Sequence, residues 1–170
     1  PHTSGPAWLA KNILKNRRVI AVSGTHGKTS TTAMITWILM KSGIDPGFLI
    51  AGRPIGLPVS AQLGKDEIFV IEADEYDTAF FDKRAKLIHY NPEVLIINNL
   101  EFDHADIYSN LPEIQKQFHN LIRTMSSEDC IVFPGDDKNI REVLDLGVWS
   151  KEVEFGIKGN SLNYFEAIKK

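Results

Sequence analysis

Three short polar clusters carry residue types able to do chemistry. The first is Gly24-Thr25-His26-Gly27-Lys28-Thr29, followed by Ser30. A glycine-rich turn of this kind aims backbone N–H groups and a helix N-terminus at an anion. Its lysine reaches β- and γ-phosphates, and its threonine hydroxyl ligates Mg²⁺. The run departs from the longer G-x-x-x-x-G-K-[ST] pattern, because Val22 stands where the first glycine would be. The second cluster, Glu72-Ala73-Asp74-Glu75-Tyr76-Asp77, sets four carboxylates within six residues, with Glu72 as the candidate metal-binding acid. The third is Asn98-Asn99-Leu100-Glu101-Phe102-Asp103-His104, where a histidine among acids can complete a second divalent site facing a transferred phosphoryl group.

Taken singly, each cluster has an ordinary reading: a turn beside an exposed lysine, a solvated acidic loop, a hydrogen-bonded scaffold histidine. Their placement argues otherwise. Each directly follows a short apolar run, at Val19 to Val22, Ile68 to Ile71 and Val94 to Ile97. Such continuous, β-branched runs are strands buried on both faces of a parallel sheet, and ligands in open α/β sheets sit beyond the strands' carboxyl ends. The clusters therefore share one sheet edge. His89 and His119 have no such placement, and His2 lies in an uninformative terminus.

The elements between the clusters fit this frame. Met34, Ile35, Ile38 and Leu39 recur at helical spacing after Thr29, and Gly43 is placed to cap that helix. Phe48 to Ile50 reads as a strand and Ala51 to Pro58 as loop. Leu111, Ile114, Phe118, Leu121, Ile122 and Met125 form one helical stripe, with Pro112 tolerable in the first turn. Cys130 to Phe133 is a further strand and Asn139 to Leu146 a short helix. Strands around Val153 to Phe155 and Leu162 to Phe165 extend the pattern toward the C-terminal end. The expected fold is α/β, a doubly wound and mostly parallel sheet carrying a phosphate-binding loop. Trp8 to Leu14 reads as a short lead-in helix.

Composition narrows the function classes. The 170 residues are 43% hydrophobic and 24% charged, ordinary for one globular domain. Nineteen basic residues against 22 acidic ones leave a formal net charge of -3, with no surplus for a phosphate backbone or an anionic membrane. No apolar run approaches the roughly 20 residues needed to span a bilayer. The single Cys130 cannot form an internal disulfide and reads as a buried, inert thiol of a reducing compartment. The residues alone thus lead to a Mg²⁺-dependent nucleotide site with two metal positions. A kinase, a GTPase, an ATP-dependent ligase and an ATP-sensing module all remain open, although no guanine-specifying Asn-Lys-x-Asp run is present.

The three clusters together resemble the central, ATP-binding domain of the Mur ligases, whose phosphate loop has the form G-T-x-G-K-[ST] without a leading glycine. The resemblance runs from about Trp8 to Trp149. The longer blocks Phe69 to Lys83 and Asn98 to Ile107 look like the branch that joins UDP-N-acetylmuramate to the tripeptide L-Ala-γ-D-Glu-meso-diaminopimelate. The branch that adds L-alanine typically has Ser at Tyr76 and lacks the insertion from Phe80 to Tyr90. It also reads Glu-Pro-Asp-His-Met-Asp where this chain has Glu101-Phe102-Asp103-His104-Ala105-Asp106.

The resemblance implies ATP- and Mg²⁺-dependent amide-bond formation in cell-wall recycling in a bacterial cytoplasm. The muramyl carboxylate becomes an acyl phosphate, the tripeptide amine attacks it, and amide, ADP and phosphate result. Carried over by position, Gly24, Thr25, His26, Gly27, Lys28, Thr29 and Ser30 form the ATP phosphate loop, with Lys28 on the β- and γ-phosphates. Thr29 and Glu72 bind a first Mg²⁺, and His104 with Glu72 a second; His26 and Asn99 fall near substrate. His119 stands where several members carry a carbamylated lysine, so no carbamate is expected. Family members flank this domain with one that binds the UDP-sugar and one that brings the amino substrate, which implies that residues 1–17 are a lead-in from the N-terminal domain and residues 18–170 an ATP-binding central domain incomplete at its C-terminal end. Those flanking domains, UDP-N-acetylmuramate and the murein tripeptide are the expected partners, without nucleic acid or membrane insertion. The 170 residues alone are not expected to ligate.

Overall fold

The computed structural model describes residues 2–74, 77–79, 82–102 and 108–156, with the backbone alone for 77–79 and 82–84. The chain enters through α1 (Gly5–Leu9), capped by Ser4, whose Oγ accepts from Ala7 N at 3.3 Å. It widens at once into a π-type turn, Ala10–Leu14. The lead-in helix thus begins earlier than its apolar spacing predicts, because the serine cap and Pro6 start it.

Strand β1 (Arg18–Ser23) is followed by α2 (Lys28–Lys41), β2 (Gly47–Leu49), β3 (Ala61–Gln62) and β4 (Ile68–Glu72). A small antiparallel pair, β5 (Asp77–Ala79) and β6 (Asp82–Ala85), then leads through a 3₁₀ turn, Lys86–His89, to β7 (Val94–Ile97). The remainder is α3 (Leu111–Ile122), β8 (Cys130–Pro134), α4 (Lys138–Asp145) and β9 (Lys151–Phe155). Among the described residues seven strands form one sheet in the order β3-β2-β4-β1-β7-β8-β9, parallel except for β3. The doubly wound expectation holds, and β1 is its switch point, with β4 on one side and β7 on the other.

Alternation along the strands divides the core between the two faces. Val19, Ala21, Phe69, Ile71, Leu95 and Ile97 belong to the larger cluster, which takes in Ile114, Phe118 and Leu121 of α3 and Ile140, Val143 and Leu144 of α4. Phe48, Ile50 and Val70 form the smaller cluster, with Ile20, Ile35 and Leu39 packed against it. Burial on both faces is what makes the central strands read as unbroken apolar runs. Helices α3 and α4 start on side-chain caps: Asn110 Oδ1 accepts from Glu113 N at 3.1 Å, and Asp137 Oδ1 from Asn139 N at 2.9 Å and Ile140 N at 3.1 Å.

Several expectations are corrected. Ser42, not Gly43, caps α2; Gly43 follows at φ +84°, and Ile44 N→Leu39 O and Gly43 N→Met40 O, both 3.1 Å, complete a Schellman motif. Met34 and Ile38 do not share a buried stripe with Ile35 and Leu39 but face outward with Trp37, while Thr32 and Thr36 are fully buried. The helix is apolar nearly all round, so periodicity cannot choose its inner face. Cys130 is half-buried rather than enclosed, and desolvation pushes its thiol up despite nearby Lys151. Strand β9 confirms the extension beyond α4; the strand expected at Leu162 to Phe165 lies outside the described residues.

Candidate functional site

The three clusters meet because three strand ends are level. In the sheet register Val22 of β1 lies opposite Glu72 of β4, and Ser23 opposite Ile97 of β7. Each chain leaves the sheet at the same edge: Ala73 N donates to Val22 O at 2.8 Å and Asn98 N to Ser23 O at 3.0 Å. Gly24 turns the chain at φ +125°, and a Cβ there would stand 2.8 Å from Asn99 O, so the close approach of the loops requires glycine. Gly27, at φ +79°, starts α2 from a left-handed conformation without any side-chain cap. The first turn of α2 is therefore not closed off by a capping side chain, and a helix N-terminus in that state suits an anion.

Lys28 folds back over the turn: Nζ donates to Gly24 O at 2.6 Å and Thr25 O at 3.3 Å. Its ammonium thus sits in the loop it would link to a phosphate. One residue on, Thr29 Oγ1 donates to Glu72 Oε2 at 3.3 Å, while Glu72 Oε1 accepts from Ala51 N at 3.0 Å. Desolvation raises the Glu72 carboxyl above its usual range, against the lowering effect of those two hydrogen bonds and of Lys28. A partly desolvated carboxylate beside a threonine hydroxyl and a lysine is a donor set for a hard cation shared with phosphate oxygens. These residues fit Mg²⁺ bound to a triphosphate. Among the described residues no three His, Cys, Asp or Glu side chains converge as a metal-holding group. His104, the expected ligand of a second ion, lies outside the described residues, as does Tyr76.

The third cluster braces the first. Asn99 Oδ1 accepts from His26 N at 2.8 Å, and the amides of Asn98 and Asn99 both donate to His26 O at 3.3 Å. Asn98 Nδ2 also donates to Thr31 Oγ1 at 3.0 Å, tying the third loop to α2. Thr25 is buried, and its hydroxyl accepts from Glu101 N at 2.9 Å and donates to Glu101 O at 3.2 Å. Thr25 therefore holds the loop through its side chain, whereas the exposed His26 and Ser30 stand at its open rim. The expected carbamate position, His119, lies in the last turn of α3. Sequence reading placed Asn98 at this edge within the third cluster but missed Ala51 and Asp137; a backbone donor such as Ala51 leaves no signal.

Beside the first turn of α2 lies an open cavity of about 580 Å³, lined by Thr29, Ser30, Met34, Trp37, Arg53 and Ile55 among others. Its apolar wall is the outward face of α2.

The Mur ligase middle-domain model matches residues 22–170. The chain belongs to the Mur ligase family. It is 52% identical over 160 residues to the UDP-N-acetylmuramate–L-alanyl-γ-D-glutamyl-meso-2,6-diaminoheptandioate ligase of Escherichia coli K12, covering 94% of this chain and 35% of that protein. The crystal structure of the corresponding Neisseria meningitides ligase superposes with a TM-score of 0.87 at 50% identity, over 92% of this chain and 51% of that one. A UDP-N-acetylmuramate–L-alanine ligase from Salinispora arenicola is 37% identical over 132 residues, 78% of this chain and 24% of that protein. The chain thus spans about a quarter to a third of the length of the curated Mur ligases it matches. Its doubly wound sheet is the fold of those domains, and no described helix is long and apolar enough to cross a membrane.

Proposed function

We propose that this chain is the ATP-binding domain of a ligase that joins UDP-N-acetylmuramate to L-Ala-γ-D-Glu-meso-diaminopimelate. The observation that carries the reading is the pairing of Thr29 Oγ1 with Glu72 Oε2 at the mouth of the Gly24–Thr29 loop, in a chain half identical to ligases named for that reaction. The reading places the protein in a bacterial cytoplasm, in peptidoglycan recycling, with flanking domains that hold the sugar nucleotide and the peptide.

The chain's own residues supply positioning and charge. Gly24 and Gly27 shape the turn so that its N–H groups and the start of α2 face the phosphates. Lys28 moves its ammonium from the loop carbonyls to the β- and γ-phosphate oxygens, where it offsets charge as the muramyl carboxylate approaches. Thr29 and Glu72 hold one Mg²⁺, and His104 with Glu72 a second. When bound, these cations withdraw charge from the transferring group, which lets an anionic nucleophile attack an anionic centre. His26 and Asn99, joined at the loop's rim, lie toward the substrate. His119 replaces the lysine that some relatives carbamylate, so Glu72 and His104 act without a carbamate.

The test is phosphate release by the full-length protein with ATP, Mg²⁺ and UDP-N-acetylmuramate, comparing the tripeptide with L-alanine. Release with the tripeptide alone is expected. Release with L-alanine alone would make it the first amino-acid-adding ligase and overturn the reading.

A further inference from the structure

Asp137 lies outside all three clusters, yet its carboxylate divides between two tasks. Oδ1 caps α4, accepting from Asn139 N at 2.9 Å and Ile140 N at 3.1 Å. Oδ2 reaches 37 residues back to accept from Leu100 N at 3.0 Å. Asn139 Nδ2 completes the grip by donating to Leu100 O at 2.6 Å, so both backbone groups of Leu100 are held from α4. On either side of Leu100 the same strand exit is held by the phosphate loop: Thr25 N donates to Asn99 O at 3.2 Å, and the Thr25 hydroxyl pairs with both backbone groups of Glu101. Leu100 itself is buried. Capping needs one oxygen only; the second makes α4, the exit of β7 and the Gly24–Thr29 loop a single hydrogen-bonded unit.

We propose that Asp137 is a positioning residue for the phosphate loop, acting through Leu100 and Thr25. It touches neither phosphate nor metal. Its carboxylate fixes the height of Asn99 and Glu101, which in turn fix the backbone of Thr25 and His26 from which the anion-binding turn is built. This inference rests on the ligase reading for its kinetic consequence but not for its structural one.

The test uses the full-length protein and four variants: Asp137→Asn, Asn139→Ala, Thr25→Val and Thr25→Ser. Asp137→Asn keeps a capping oxygen but turns an N–H₂ group on Leu100 N–H. Amide hydrogen exchange is expected to quicken at Thr25 and His26 as well as at Leu100, with Ile140 to Leu144 still protected. ADP formation in the presence of both substrates should fall about ten- to a hundredfold, the scale of a small misplacement of reacting groups. Thr25→Val should fall as far and Thr25→Ser by less than about threefold, since it keeps the hydroxyl. The Thr25→Val/Asp137→Asn double variant should lie within about threefold of the worse single, because both break one unit. Losses that multiply, or exchange that quickens only within α4 and at Leu100, would reduce Asp137 to a helix cap and overturn the proposal. Should Asp137→Asn not fold, Asn139→Ala removes the Leu100 O contact while leaving the cap, and must move Thr25 and His26 exchange in the same direction. If the unaltered protein forms no ADP, the ligase reading fails while the exchange pattern still decides this one.

Discussion

Thr29 Oγ1 and Glu72 Oε2 stand 3.3 Å apart, one on the first turn of α2 and the other at the last residue of β4. The pairing follows from register: Glu72 lies opposite Val22, five residues before Gly27, where the turn ends and α2 starts, so strand and helix bring their polar termini to the same height. Desolvation raises the Glu72 carboxyl, which means its charged form is opposed by burial until a cation arrives.

The sign of the pH effect follows. A carboxyl whose folded value is raised stabilises the fold relative to its charged form only at low pH, and that contribution is lost as pH rises through the folded value. Glu72→Gln should therefore be slightly more stable than the unaltered protein at pH 7 to 8 without Mg²⁺. The gain should be at most about 1 kcal/mol, since the group is only half-buried and solvent screens it. It should vanish below the ordinary carboxylate range. Thermal unfolding across pH measures this; a Glu72→Gln variant less stable at neutral pH than at low pH, relative to the parent, would contradict it. In the full-length protein the same substitution should abolish Mg²⁺-dependent turnover.

Lys28 donates to two loop carbonyls, Gly24 O and Thr25 O, on the same turn of chain. Lys28→Ala should leave the fold within a few degrees of the parent's melting point, because the loop keeps its bonds to Asn99 and Glu101. Turnover of the full-length protein should fall by about 10²–10³-fold or more, the loss expected for a charge aimed at the transition state. ADP formation under saturating ATP separates this from weakened binding: a normal kcat with raised KM would assign Lys28 to binding alone.

What the sequence made legible follows from where the constraint lies. The exits of β1, β4 and β7 announce themselves because strands buried on both faces are unbroken apolar runs ending abruptly in polar residues. The inner face of α2 was not legible: the outward Met34, Trp37 and Ile38 are as apolar as Ile35 and Leu39, which pack against the sheet, and the residues of α2 that are fully buried are threonines. Strand β3 has two residues and pairs only through Phe48 and Leu49, too little for any pattern. Asp137 caps α4, but its partner Leu100 is set by the neighbouring positions of β7 and β8, which only the folded sheet supplies.

Gly24 tests the close packing of the phosphate loop on the exit of β7. Its φ of +125° is open to glycine alone, and an added Cβ would meet Asn99 O at 2.8 Å and Asn98 N at 3.1 Å. Both neighbours are backbone atoms of a braced segment and cannot swing away. Gly24→Ala should destabilise the fold by about 2–4 kcal/mol, combining backbone strain with a forced shift of the third loop. Equilibrium denaturation measures it, and a loss under about 0.5 kcal/mol would show that the loops are not locked together.

Thr32 and Thr36 occupy successive turns on the buried side of α2, both fully enclosed, but only one hydroxyl is engaged. Thr32 Oγ1 donates to Lys28 O at 2.8 Å, a bond that closes the first turn beside the phosphate loop. Thr36 Oγ1 has no hydrogen-bond partner among the described residues. Valine has the same branched shape, so each Thr→Val exchange changes the hydroxyl and little else. Removing an unsatisfied buried hydroxyl recovers its desolvation cost, and Thr36→Val should stabilise the fold by about 1 kcal/mol, or about 2–4 °C in melting point. Thr32→Val removes a bond already made and should cost about 0.5–1.5 kcal/mol. The opposite signs make the pair its own control for packing: thermal melts in which both substitutions destabilise equally would show that the Thr36 hydroxyl is satisfied after all.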